Sequence, residues 1–476
     1  MPEREPLSGA DNAWRRLGTT DNLTTITGIL SFSEKLSYEE LCDQLERRVL
    51  RFDRFTQRLG GRKRRFRRPY WESVDDFDID THVYEINLPR PRNRVQLQQF
   101  VGRLMSRPLD ERRPLWEAYH IQEYDGGSAV VFRLHHSLAD GFALMYVLFG
   151  LADNPGDIEF PLGALSAPDP PEEENDGGRE TAEANGGVRT EQPADPIDTP
   201  NSGSGDDSRT DTDTKAPTGA VTAARDGIKL AGTALRAGAG MLLQSDEPQT
   251  SLHCDIGTTK RAAWTDELDL ATVKAIGDSH DATVNDVLLA ATAGVFRETL
   301  ADRGEETDGL VLRCTVPVNL KPMARRDESL GNYFGMAFVP IPVGVSDFAE
   351  RIQFIRERTD VTRLGIEAYL MYQTLQLGGY VPEPVFDAAL QLFEDNATAV
   401  VSNVPGPVDS IEIAGKEVDK ILFWNPQAVD QGLSVSIFSY DGGVRVGVSG
   451  DANVVPEPER LADRFEDEIL AQSIAE

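Results

Sequence analysis

At 476 residues, with 40% hydrophobic and 27% charged residues, the chain is long enough for two ordinary domains, each able to bury its own core. Asp and Glu outnumber Lys and Arg by 79 to 48, a net charge of −31 that argues against nucleic acid as a partner. Only 9 of the 48 cations are Lys, and an acidic, Lys-poor surface suits a very salty cell interior, where the Debye length shrinks to about 3 Å and self-repulsion is weak.

The opening MPEREPLSGADNAW is charged and polar, without the apolar core of an export leader, and no window reaches the roughly 18 apolar residues of a membrane span. A cytoplasmic protein is expected. Helical spacing follows at Leu36–Phe52 (Leu41, Leu45, Val49, Phe52) and at Val95–Met105 (Leu97, Phe100, Val101, Leu104). Ser128–Leu134 reads as a buried strand and Phe142–Leu151 as a helix. From about Ser166 to Thr218 almost nothing is apolar; Ala167–Lys215 carries 14 acidic and 4 basic residues, the composition of a disordered linker. Beyond it, Val221–Leu243 has the Ala- and Gly-rich pattern of a crossover helix, and Val284–Leu300 that of a strong amphipathic helix. Leu310–Val316 and Met336–Ile341 read as strands, and Leu433–Tyr440 turns at Asp441-Gly442-Gly443 into a hairpin. The fold class is α/β, with subdomains at 1–165 and 219–476 joined by a linker at 166–218. Cys42, Cys254 and Cys314 stand singly and read as buried thiols.

The sharpest motif is HHSLADG, His135 to Gly141, at a strand-to-helix junction. A strand end holds a side chain rigidly, and adjacent histidines there point apart, so one can face a cleft while the other packs behind it. A neutral imidazole, with an ordinary pKa near 6.5, can take a hydroxyl proton near neutral pH. The bland alternative is structural: Asp140 is a good helix N-cap, and histidine pairs also serve in polar networks. His82, His120, His253 and His280 lie far away and read as structural; no further ligands at metal spacing accompany the pair, so no metal is expected. Ser137 lacks the GxSxG turn of a serine nucleophile.

HHxxxDG at such a junction resembles the signature of the coenzyme A-dependent acyltransferase superfamily. Further motifs are similar to those of the wax ester synthase/diacylglycerol acyltransferase family within it. These are Pro114-Leu115-Trp116, Asn285-Asp286 in TVNDVLLA, CTVPVNLKP, LGNYFG (Leu330–Gly335) and SNVPGP (Ser402–Pro407), all in the family's order. The resemblance covers nearly the whole chain apart from the linker. It implies two chloramphenicol-acetyltransferase-like halves with a tunnel between them and His136 as general base, beside His135, Asp140 and Gly141. Asp140 is then expected to order its loop through a salt bridge with an arginine. Asn285 is a candidate oxyanion donor beside Asp286, although Thr283–Asp286 is equally a capping box. Pro114, Leu115, Trp116, Asn403, Pro405 and Gly406 are expected to shape the tunnel. The implied reaction takes acyl-CoA as co-substrate, with no cofactor, and a long-chain alcohol or diacylglycerol as acceptor; a membrane or lipid-droplet surface is a further candidate partner. A condensation-type transferase and a catalytically silent lipid-binding protein are the alternatives, and the second would be expected to lose His136. Where many relatives carry an acidic residue followed by Pro and Met near the N-terminus, this chain reads LGTTDNLTT, with Gly18 at the acidic position and Asp21 nearby. The basic run Arg58–Arg68 is read either as a polyanion contact or as a solvated loop.

Overall fold

A computed structural model describes residues 4–61, 69–158, 247–320, 330–359, 361–387, 396–427 and 430–473. The chain divides into one unit of residues 1–168 with 230–476 and another of residues 169–229; every described residue belongs to the first. The expected linker, the helix expected at Val221–Leu243 and Arg62–Arg68 of the basic run lie outside the described residues.

Before the linker the order is β1 (Arg4–Pro6), α1 (Gly9–Leu17), β2 (Thr25–Phe32), α2 (Tyr38–Arg48), β3 (Gln57–Gly60), β4 (Tyr70–Ser73), β5 (Val83–Ile86), α3 (Arg94–Met105), β6 (Trp116–Tyr124), β7 (Gly127–His135) and α4 (Gly141–Gly150). After it come β8 (Lys260–Trp264), β9 (Leu268–Asp269), α5 (Leu270–Ser279), α6 (Val284–Asp302), β10 (Leu312–Asn319), β11 (Phe334–Ile341), α7 (Phe348–Arg356) and α8 (Val361–Gly378). The order then runs β12 (Ala399–Pro405), β13 (Glu412–Ile413), β14 (Lys416–Trp424), β15 (Leu433–Tyr440), β16 (Gly443–Asp451) and α9 (Pro458–Ser473).

Among the described residues a six-stranded sheet runs β13-β14-β2-β7-β6-β5, and a second runs β11-β10-β12-β15-β16-β8, with β9 also on β16. A small sheet, β1-β4-β3, stands apart. The first large sheet is built from both sides of the linker, because β14 pairs antiparallel with β2 in the register Trp424↔Thr27. The halves are therefore continuous in space where they are separate in sequence.

β7 is apolar from Ala129 to Phe132 because both faces of its sheet are covered. Val130 packs into a core with Leu41 and Leu45 of α2, while Ala129 and Val131 face Leu97 and Val101 of α3. α1 begins at Ser8, whose Oγ accepts from the Asp11 N–H. α4 begins at Asp140, whose carboxylate accepts from the Ala143 N–H at 2.8 Å. β7, its exit loop and these two helix starts position the site.

Candidate active site

His136 is the first residue past β7, and its N–H donates to the Thr24 carbonyl beside the start of β2. The two histidines do point apart. His135 is tied at both ring nitrogens, Nδ1 2.8 Å from Ser137 Oγ and Nε2 3.1 Å from Thr24 Oγ1. Its backbone N–H donates to the carbonyl of Leu115, which is how the Pro114-Leu115-Trp116 segment supports this strand end. His136 stacks on the Trp14 indole, ring centroids 4.0 Å apart and 11° from parallel, with Phe334 5.4 Å away.

Its protonation pattern follows from the next layer. Asn332 places Oδ1 2.9 Å from His136 Nδ1, and its Nδ2 donates to Asp11 Oδ1 at 2.8 Å and to the His136 carbonyl at 2.9 Å. Those two partners only accept, so the amide can face one way: Nδ1 carries the proton and Nε2 keeps its lone pair. Among the described residues no hydrogen bond occupies Nε2. Asp11 is balanced by Arg54, whose Nη1 lies 3.1 Å from Oδ2, and the guanidinium sits over the Trp71 ring. Burial, above all other causes, pulls the His136 pKa from 6.5 down to about 4, so the ring is neutral at pH 7.

The motif's other members hold this frame. Asp140 Oδ2 accepts from the Tyr333 N–H at 2.8 Å, and the Asp140 N–H donates to the Gly331 carbonyl, tying HHSLADG to LGNYFG across the halves. Arg54 Nη1 lies 3.5 Å from the carbonyls of Ser137 and Leu138, but its carboxylate partners are Asp11 and Glu5, not Asp140. Gly141 opens α4 and borders an apolar cavity, which Trp116 also lines. Gly406 is pressed against Phe438, another lining residue, and a Cβ there would lie 2.5 Å from the ring. Asn403 and Pro405 lie in β12, and Pro114 is buried before β6.

Asp286 has a structural task. One oxygen accepts from the Thr283 N–H and hydroxyl at 2.9 and 2.7 Å, the other from Thr359 Oγ1 at 2.7 Å. Asn285 is half-buried on the first turn of α6, and among the described residues neither it nor Asp286 hydrogen-bonds to the HHSLADG loop. Reading the sequence left Asp11, Trp14, Thr24, Arg54 and Asn332 without roles. Only Asn332 had a signal, its place in LGNYFG. The other four histidines are structural: His82 Nδ1 meets the Trp116 carbonyl at 2.8 Å, and His120 Nε2 that of Leu36 at 2.7 Å. His253 Nδ1 lies 3.2 Å from the Thr250 N–H, and His280 Nδ1 2.9 Å from the Ile276 carbonyl.

His136 thus presents a neutral ring with an open Nε2 lone pair at the meeting of two mixed α/β halves, the form an imidazole needs to take up a proton. The chain matches the wax ester synthase/diacylglycerol acyltransferase catalytic domain over residues 7–288 and the corresponding C-terminal domain over residues 330–471. It belongs to the wax ester synthase/diacylglycerol acyltransferase family and is an acyl-CoA-dependent O-acyltransferase. It is 28% identical over 436 residues to a probable diacylglycerol O-acyltransferase of Mycobacterium tuberculosis strain H37Rv, covering 90% of this chain and 87% of that one. A putative diacylglycerol O-acyltransferase of Mycobacterium tuberculosis strain CDC 1551 is 25% identical over 483 residues, covering 97% and 88%. The fold is similar to that of the wax ester synthase/diacylglycerol acyltransferase from Marinobacter aquaeolei VT8, with a TM-score of 0.64, 19% identity and 99% of each chain covered. It is also similar to the starter condensation domain of rhizomide synthetase, at a TM-score of 0.58 and 10% identity over 99% and 94% of the two chains.

Proposed function

We propose that His136 is the general base that activates the alcohol, and that the acceptor is a long-chain alcohol or a diacylglycerol. Nε2 removes the hydroxyl proton as the oxygen attacks the thioester carbonyl. The tetrahedral intermediate collapses to the ester, the C–S bond breaks, and the coenzyme A thiolate takes the proton back from the imidazolium. The Nδ1–H bond to Asn332, whose amide is held by Asp11, steadies the ring while it is charged. Asn285 stays a candidate oxyanion donor. Trp14 Nε1 is a nearer one: its ring lies against His136, and it is buried with no acceptor among the described residues. Apart from acyl-CoA the scheme calls on no cofactor.

The free Nε2 lone pair carries this reading. In an assay with radiolabelled acyl-CoA and a panel of alcohols, His136→Ala is expected to lose about 10²–10⁴-fold in kcat, the usual worth of a general base. His135→Ala, which loosens the loop without removing the base, is expected to keep measurable transfer. Equal loss from two folded variants would unseat His136, and full activity in His136→Ala would end the mechanism.

Attachment to a lipid surface belongs to the same proposal, since such acceptors partition there. Among the described residues no helix is long and apolar enough to cross a membrane. The support is on α8, where Ile366 and Tyr369, three residues apart and so on one face, are 59% and 47% exposed.

A further inference from the structure

We propose that the cavity between α4 and the six-stranded sheet receives one long alkyl chain of a substrate, and that Gly28 governs how long a chain it accepts. The proposal rests on the acyl-transfer reading of His136.

The cavity is apolar, the character of sites that take the apolar part of a small ligand. Its walls are β2, β7 and β14 on one side and α2 and α4 on the other. Every lining side chain is apolar except Trp116, and the Trp116 Nε1–H is already spent on the Phe55 carbonyl at 2.8 Å. No lining group is left to bind a charged or hydroxylated molecule, and such a space does not hold ordered water. Phe132, Leu134, Met145, Leu148 and Phe423 are all left partly exposed, although each packs against the surrounding core. The surface they keep is the wall of the cavity. One end is at the chemistry: Gly141 closes the HHSLADG motif, and Leu134 stands two residues before His136.

Gly28 is the residue that needs an explanation. It lies mid-strand in β2, in register with Phe132 on one side and Phe423 on the other. Glycine weakens a strand interior and marks places where something approaches the backbone closely. Neither sterics nor backbone conformation requires it. A Cβ there would meet only the Leu422 carbonyl at 3.4 Å and Phe423 Cβ at 3.9 Å, ordinary contacts, and its φ is not in the left-handed region. Ile26 and Leu30, on the same face by strand alternation, both line the cavity. The missing side chain therefore leaves room in the cavity floor, and that room accommodates the chain.

Gly28→Val narrows the floor, and Met145→Trp narrows the cavity from α4. The full chain is assayed with acyl-CoA from hexanoyl to stearoyl at one fixed alcohol, then with an alcohol series at one fixed acyl-CoA. Each buried methylene is worth roughly fourfold in affinity. The ratio of kcat/KM for long over short chains is thus expected to fall at least about tenfold in one series, and the series that shifts names the chain. Direct binding of the fluorescent fatty acid cis-parinarate separates this proposal from the reaction. Weaker binding to both variants supports the cavity even if no alcohol is acylated. Folded variants with unchanged chain-length ratios in both series and unchanged parinarate binding overturn it. If Gly28→Val does not fold, Met145→Trp carries the same readouts.

Discussion

His136 has an ordinary side chain in an environment that decides its proton inventory. Taken out of water, its charged form is disfavoured, and the pKa of about 4 means the lone pair on Nε2 is present throughout the neutral range. Two consequences have opposite kinds of readout. The unfolded chain protonates near pH 6.5 and the folded one only near 4, so stability from this residue is present above about pH 6.5 and is lost as pH falls towards 4. Activity, read from initial rates before unfolding, is expected to keep its acid limb near pH 4. Asn332→Asp combined with Asp11→Asn, which keeps a donor facing the second oxygen, puts a carboxylate against Nδ1–H and should raise that limb by roughly one unit or more. Were the limb to stay put in the folded double variant, residue 332 would not be positioning the base.

Helix starts do the structural work around this residue. The α6 N-terminus is closed by a reciprocal pair, Thr283 to the Asp286 N–H and Asp286 to the Thr283 N–H, with Thr359 from the end of α7 added. Asp286 is 4% exposed, so Asp286→Ala removes a cap and breaks the Thr359 hydroxyl bond, leaving that half-buried hydroxyl only the Ile355 carbonyl at 3.2 Å. A loss of about 1–3 kcal/mol in denaturant unfolding is expected, with kcat per folded molecule much less affected. A kcat loss as large as that of His136→Ala, without a stability loss, would return Asp286 to the catalytic machinery. Elements with strong periodicity were legible in the sequence: α3, α4, α6, β7 and the β15–β16 hairpin all lie where spacing predicts them. β2 was not, because Gly28 interrupts its run, nor was β14, whose KEVDKILFW shows alternation only at its start. His136 was legible because its motif is contiguous. The Arg54–Asp11–Asn332 support was hidden because its members meet only through tertiary folding, Asn332 and Asp11 being 321 residues apart in sequence.

Charge is the property of the whole molecule that its parts do not reveal. With a net charge of −31, the described ion pairs divide into two kinds. Buried ones, such as Arg54–Asp11 and Lys260–Asp451, are out of reach of salt. Exposed ones, such as Arg112–Asp110 and Arg460–Glu457, contribute little and are screened away. Salt therefore removes little attraction and much repulsion. Raising KCl from about 0.1 M to about 2 M, which shrinks the Debye length from about 10 Å to below 4 Å, is expected to raise Tm. For a protein of this size the rise should be no more than roughly 2–4 °C for each kcal/mol of repulsion relieved. Potassium chloride is the salt to use, because sulfate would stabilise through hydrophobic burial whatever the charge. A Tm that is flat or falls across this range would mean that the exposed pairs outweigh the repulsion, and the acidic surface would then need another explanation than a salty surrounding.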